Sequence, residues 1–181
     1  MASLVGVSDP SPIEQGMNKL CPMPGCRVDA IASDDPDHLQ IDVPGSHPGG
    51  RCPDYGRASR DVHSHYHRHP SDLPSLGCCV RVALRVRRFY CCNPGCARRT
   101  FAEQLPELVI PHARRTRRLA AAQGRAGVAL GGEAGARLLR HLAMPTSAAT
   151  VLRLIRRLPL PEVEAPCVVA VDDWAIRKSR S

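Results

Sequence analysis

Three cysteines and one tyrosine raise the first chemical question. Cys52 and Pro53 open the turn "CPDYG", which has the outline of one half of a zinc site, Cys-Pro-x-Cys-Gly, with Tyr55 standing where the second sulfur belongs. Further along, "RFYCCNPGCARRTF" sets Cys91 (or Cys92) and Cys96 on either side of Asn-Pro-Gly, a turn that brings two sulfurs together. Zinc takes four tetrahedral ligands, and two cysteine-bearing turns supply them readily. In a small, loop-rich module such a metal contributes roughly 10–16 kcal/mol of apparent folding free energy, so one missing ligand matters. A phenol, with a pKa of about 10, is a poor ligand near neutral pH and leaves Tyr55 out.

Three arrangements stay open. The fourth ligand can come from Cys92 by a shift of register, from Cys78 or Cys79, or from a histidine of "VHSHYHRH". His63, His65, His67 and His69 alternate, so on a strand they share one face, and a neutral imidazole binds zinc well. Alternatively, three sulfurs hold the ion with a water, or the site binds nothing. Cys21 and Cys26 in "CPMPGC" have similar spacing and read as a chance pair in a hairpin.

The charge around these cysteines is lopsided. The chain of 181 residues has a formal charge of +8; residues 1–50 carry −5, residues 51–118 carry +9 and residues 119–181 carry +4. Nearly all the basic groups are arginine, with Lys19 and Lys178 the only lysines. Arginine's planar fork suits phosphates and guanine edges, and a basic middle points to nucleic acid. "MASLVGVSDPSPIEQ" lacks the basic start and apolar run of a secretory signal, and no stretch is long enough to span a membrane. Nine cysteines without an export signal indicate metal or reduced thiols, and hence a cytoplasmic protein, more than a disulfide framework.

The elements that must position these groups follow from periodicity. "CRVDAIA" and "HLQIDV" flank the acidic turn "SDDPD" and read as a hairpin. In "CVRVALRVRRF", Val80, Val82, Leu84 and Val86 alternate with Arg81, Ala83, Arg85 and Arg87, which predicts a strand with one aliphatic and one basic face. From Thr116 to Leu130 the pattern is helical, though Gly124 and Gly127 weaken it. "GGEAGARLLRHLAMPTSAATVLRLIRRLP" predicts two amphipathic helices with a break at Pro145 and an N-cap at Thr146 or Ser147. Ala134, Leu138, Leu139 and Leu142 make the inward face of the first; Val151, Leu152, Ile155 and Leu158 make that of the second. Arg153, Arg156 and Arg157 gather on another face of the second, the outline of a helix-turn-helix. After the linker "PLPEVEAP", the apolar run from Cys167 to Val171 reads as a buried strand that delivers Asp172 and Asp173.

From Cys52 onward the residues resemble the N-terminal zinc-finger region of the ISL-three family of bacterial insertion-sequence transposases. The motifs that carry the resemblance are Cys52 and Pro53, His63 to Tyr66, Asp72 to Pro74, Arg87 to Phe89, Cys91, Asn93 to Cys96, Arg98 to Phe101 and Glu103 to Pro106. "GGEAGARLL" and "MPTSAATVLRLIRRLP" look like that family's helix-turn-helix, and "VVAVDDWAIRK" like the first strand of its RNase H-like domain. The resemblance is strong from Cys52 to Lys178 and weak over residues 20–50. It implies zinc ligands at Cys52, Cys91 and Cys96, with the fourth position at Tyr55; the residues themselves offer Cys92, His63 or His65 as substitutes there. It also makes Asp172 the first of three catalytic carboxylates that hold two Mg2+ ions in a complete domain. The later carboxylates have no counterpart here, and adjacent strand residues point to opposite faces, so no catalysis is expected of this chain.

The expected fold class is α+β. The start (1–19) is expected to be disordered and to be followed by a β-hairpin (20–50), a zinc-finger-like β module (51–106) and a helical helix-turn-helix module (107–158). A linker (159–166) then leads to the first strand of a truncated RNase H-like domain (167–181). The expected function is DNA binding at an element's terminal inverted repeats, as the recognition part of a transposase. Arg81, Arg85, Arg87, Arg98 and Arg99 would contact phosphates, and Thr150, Arg153, Arg156 and Arg157 would lie in or along the major groove. A homodimer is compatible with this reading. The alternative is a decayed remnant that binds neither metal nor specific DNA.

Overall fold

The computed structural model describes residues 23, 26–45 and 49–159, apart from the side chain of Asp34. In chain order the elements are β1 (Ala30–Asp35), β2 (His38–Pro44), β3 (Gly50–Arg51), β4 (Ala58–Ser59), β5 (Val62–Arg68), β6 (Ser71–Ser75), β7 (Cys78–Tyr90), β8 (Thr100–Ala102), α1 (Arg117–His141) and α2 (Ala148–Ile155). The fold is mixed α+β, with a six-stranded sheet and two helices. The strand at Cys167 to Val171, with Asp172, lies outside the described residues, as does Cys21.

The sheet is organised on β7, whose 13 residues pair with four other strands directly. β2 runs parallel to its first half, and β8 continues antiparallel along the same edge; β6 and then β5 line the other edge. The hairpin expected before residue 50 forms from β1 and β2, and through β2 it joins this sheet. Alternation along β7 is realised: Val80, Val82, Leu84 and Val86 are buried, while Arg81 and Arg85 are exposed on the other face. The buried residues meet Ile41 and Val43 of β2 and are covered by Leu105, Leu108 and Val109 from the segment after β8. Burying each such aliphatic side chain is worth about 1.5–3 kcal/mol.

Strict period two gives β7 a second use. Phe89 is on the face of the arginines, away from Val86, and packs there with Phe101 and Cys52. The two rings lie 5.8 Å apart at 32°. These are the chain's two phenylalanines, so one long strand serves an aliphatic core on one face and a small aromatic core on the other.

The helices are fastened to the sheet at β6. Backbone N–H of Ser71 donates to the carbonyl of Arg114 at 3.0 Å, and that of Thr116 to the carbonyl of Ser71 at 2.9 Å. Thr116 caps α1, accepting from the Leu119 N–H. Its hydroxyl donates to Asp72 Oδ1 at 2.6 Å, and Arg118 Nε donates to the same oxygen at 2.8 Å while Nη2 reaches Oδ2. The Asp72 side chain has no exposed surface. A carboxylate taken out of water needs such a complete set of donors.

Helix α1 is kinked at Gly131, where φ is +74°, a backbone conformation open to glycine. Gly124 and Gly127, which weaken the helical pattern in the sequence, are the seat of α2. A Cβ on Gly127 would lie 2.5 Å from Val151 Cγ1 and 3.0 Å from Ile155 Cδ1. The expected inward faces are corrected accordingly. Leu139 is buried with Gly135 and Ala136, whereas Leu138 and Leu142 are exposed; Val151 is buried and Ile155 half-buried, whereas Leu152 and Leu158 are exposed. Small residues let the backbones approach along one narrow seam, and the leucines that flank it stay outside.

Removing the Asp72 carboxylate leaves Arg118 and the Thr116 hydroxyl without their acceptor. Asp72→Ala is expected to cost about 3 kcal/mol in urea unfolding; a loss within about 0.5 kcal/mol would show that the latch is not structural.

Candidate functional site

Two hairpins build the sulfur cluster. β3 and β4 form the first, with Arg51 paired to Ala58. Between them the Cys52 N–H donates to Arg57 O at 2.9 Å and the Gly56 N–H to Cys52 O at 2.7 Å, Gly56 closing the loop at φ +65°. The second extends β7 and β8: Phe89 pairs with Phe101, Tyr90 with Thr100, and the Cys91 N–H donates to Arg99 O at 2.9 Å. Asn93 turns the chain, its side-chain oxygen accepting from the Gly95 N–H at 3.1 Å and its carbonyl from the Cys96 N–H at 3.1 Å.

The Cys52, Cys91 and Cys96 sulfurs all lie within 4.8 Å of one another, with Cys52 and Cys96 4.0 Å apart. Cys52 is buried and the other two half-buried. Burial raises the Cys52 thiol, but the backbone N–H groups of Tyr55 and Asp54, together with the Cys91 and Cys96 thiols, outweigh it and hold its pKa below the ordinary thiol value. Cys96 moves the opposite way: burial raises it, the Arg98 N–H opposes this, and the neighbouring sulfurs add to the rise. N–H groups aimed at a sulfur favour its thiolate, the form that binds metal. This buried group could hold a metal ion, and three sulfurs suit a soft or borderline cation over magnesium or calcium.

The other ligand candidates lie elsewhere. The Cys92 thiol is 3.4 Å from Ser59 Oγ and 3.5 Å from Asp61 Oδ2. Cys78 and Cys79 are at the opposite end of β7, with Cys78 donating to Pro36 O at 3.2 Å. His65 and His67 do share the outer face of the sheet, but there they stand beside Arg87 and Arg85 across the β5–β7 ladder, and His63 packs edge-on against Tyr90. The cluster therefore includes neither Cys92 nor His63 nor His65. The Tyr55 backbone N–H is aimed at the Cys52 sulfur, and its side chain is 60% exposed.

The arginines divide into paired and unpaired groups. Arg87 is committed to Glu103, with Nη2–Oε1 at 2.6 Å and a Glu103 side chain only 1% exposed. Arg98 pairs with Asp54 at 2.8 Å. Both are among the arginines expected to contact phosphate, and each has a carboxylate beside it. Arg81, Arg85 and Arg99 are exposed. Arg81 opens onto a cleft of about 110 Å³ beside Met144 and Pro145, on the turn that precedes α2.

Helix α2 begins at Ser147, whose hydroxyl caps the Thr150 N–H at 3.3 Å. Arg153 lies on the helix, Arg156 is its C-cap and Arg157 follows; all three are exposed. Arg153 Nη2 donates to Thr150 Oγ1 at 3.0 Å. Thr150, Arg153 and Arg157 line a cleft of about 440 Å³ together with Arg114, Arg115 and Arg117. A second cleft, of about 650 Å³, holds Arg68, Arg88 and Arg98, and the two share His112. Sequence reasoning missed Arg68, Arg88 and Arg115: Arg68 is held by the carbonyls of Ile110 and Ala113 and Arg115 by a bridge to Ser71, contacts more than 40 residues apart that no local pattern encodes. Asp172, the expected first catalytic carboxylate, lies outside the described residues. Among the described residues no helix is long and apolar enough to cross a membrane. No protein-family model, curated protein or solved structure matches the chain.

If Tyr55 occupies a ligand corner, Tyr55→Cys completes the cage. Sharing about 12 kcal/mol among four ligands gives about 3 kcal/mol per thiolate, or about a hundredfold in Kd. A Co2+ titration followed by thiolate charge-transfer absorbance should show that tightening, and Cys96→Ser should abolish the signal. An unchanged Kd for Tyr55→Cys would place the fourth corner elsewhere.

Proposed function

We propose that this chain binds duplex DNA, as the recognition portion of an insertion-sequence transposase of the ISL-three kind, with the element's terminal repeats as its target. The observation that carries the reading is the surface of α2. A short helix with a serine cap is seated by Val151 on Gly127 of α1 and turns Arg153, Arg156 and Arg157 outward. Among the described residues none of the three meets a carboxylate. A helix, a turn with Ala143 at φ +53° and a basic second helix have the proportions of a helix-turn-helix, whose second helix enters the major groove. Thr150, near the start of α2, would meet base edges; Arg153, Arg156 and Arg157, along the same helix and its end, would meet phosphates.

The sulfur cluster supports the same reading from the β side. With sulfurs about 2.3 Å from the ion, a tetrahedral zinc thiolate has sulfurs about 3.8 Å apart, close to the 4.0 Å between Cys52 and Cys96. Zinc held there by three cysteines, with water at the Tyr55 corner, would pin both hairpins and hold Arg99 beside the cluster. The role is structural and concerns binding.

The test is a salt titration of duplex binding by fluorescence anisotropy. Log affinity should fall linearly with log salt, by about 0.9 for each phosphate contact. Changing Arg153, Arg156 and Arg157 together to alanine should reduce the slope by about 2 to 3. A flat response in the unaltered protein would end the DNA-binding reading.

A further inference from the structure

Among the described residues four arginines are part-buried: Arg87 is neutralised by Glu103 and Arg118 by Asp72, while Arg68 donates to the carbonyls of Ile110 and Ala113. Arg115 is the fourth, and its partner is neither an acid nor a carbonyl of the backbone. It is half-buried, at the bridge that joins Ser71 of β6 to the start of α1. Its Nη1 donates to Oε1 of Gln123, a side chain only 1% exposed, whose amide nitrogen donates in turn to Met144 O at 3.2 Å. The guanidinium is thus held by a buried neutral amide strung between α1 and the turn before α2. No carboxylate reaches it among the described residues.

What Arg115 faces instead is more positive charge. Arg153 and Arg157 line the same cleft of about 440 Å³. Burial, and then the charges of Arg153 and Arg157, hold the Arg115 pKa below the ordinary arginine value. Three guanidinium groups repel, and a part-buried site weakens the screening that would relieve them. Arginine forks are also matched in shape to the oxygens of a tetrahedral anion, which accepts from several of them at once.

We propose that Arg115, Arg153 and Arg157 form a clamp for one phosphate group, with Arg115 as its fixed, part-buried jaw. Arg153 lines the cleft with its Nη2 hydrogen-bonded to Thr150, and Arg157 lines it from just past the C-cap of α2. The clamp deepens the DNA-binding reading and rests on it for the source of the phosphate, the backbone of a duplex. A free phosphorylated small molecule offers the same chemistry, and the experiment separates the two.

The full chain is compared with Arg115→Gln and with Arg157→Ala, the second altering an exposed residue outside the packed seam so that folding is not at stake. Thermal unfolding is followed in inorganic phosphate and in chloride at equal ionic strength. The unaltered protein should melt about 3 °C higher in phosphate, and both variants should lose at least half of that rise, whereas a general salting effect would persist in all three. Duplex binding is then titrated with salt, and Arg115→Gln should lower the slope by about 0.9. Both changes together establish the clamp and assign its phosphate to DNA. A lost phosphate shift with an unchanged slope establishes the clamp for a free phosphorylated ligand. Equal phosphate shifts and equal slopes in all three proteins overturn it. Should the unaltered protein show no salt-dependent duplex binding, the DNA reading fails by itself, and the phosphate arm still decides the clamp.

Discussion

The buried carboxylate of Asp72 is the constraint on which the arrangement depends. It lies on β6, the short strand that closes one edge of β7, and it accepts from the N-cap hydroxyl of α1 and from Arg118 in that helix's first turn. Each partner comes from a different part of one helical turn, so only one rotation of α1 satisfies them all. Burying a salt bridge contributes little net stability by itself, because desolvation offsets attraction. Its effect here is orientation. With α1 fixed on the sheet, the glycine seam fixes α2, and α2 carries its arginines to the cleft whose other wall begins at Arg115.

The same economy appears at the other end of β7. The aromatic core there consists of Phe89 and Phe101 with Cys52 between the hairpins, and Gly50 admits them: a Cβ at Gly50 would lie 2.7 Å from the Phe89 ring. So small a core buries little apolar surface, and a metal on the three sulfurs would supply what it lacks. Glu103 links this end to the main sheet. It follows β8, binds Arg87, and fills the space beside Gly45, where a Cβ would overlap its carboxylate.

Patterns of period two and the cysteine turns were legible in the sequence. The alternation from Val80 to Arg87 specifies β7 and its two faces, and Asn-Pro-Gly between Cys91 and Cys96 specifies the turn that gathers two sulfurs. Three things were not legible. Gly124 and Gly127 count against a helix by propensity, yet the close approach of Val151 and Ile155 is what Gly127 permits. Leu138 and Leu152 count as core by hydrophobicity, yet the seam is too narrow to cover them. Which arginine is neutralised depends on pairs 16 and 44 residues apart, such as Arg87 with Glu103 and Arg98 with Asp54, and local pattern does not encode such distances.

That division between neutralised and unneutralised arginines is the core of the account, since the second group is what a duplex would meet. Nitrogen-15 NMR of the arginine Nε–H groups during titration with a duplex tests it residue by residue. The account predicts that Arg153, Arg156 and Arg157 shift on binding while Arg87 and Arg118, held by Glu103 and Asp72, stay in place. Shifts at Arg87 and Arg118 with the α2 arginines unmoved would contradict it.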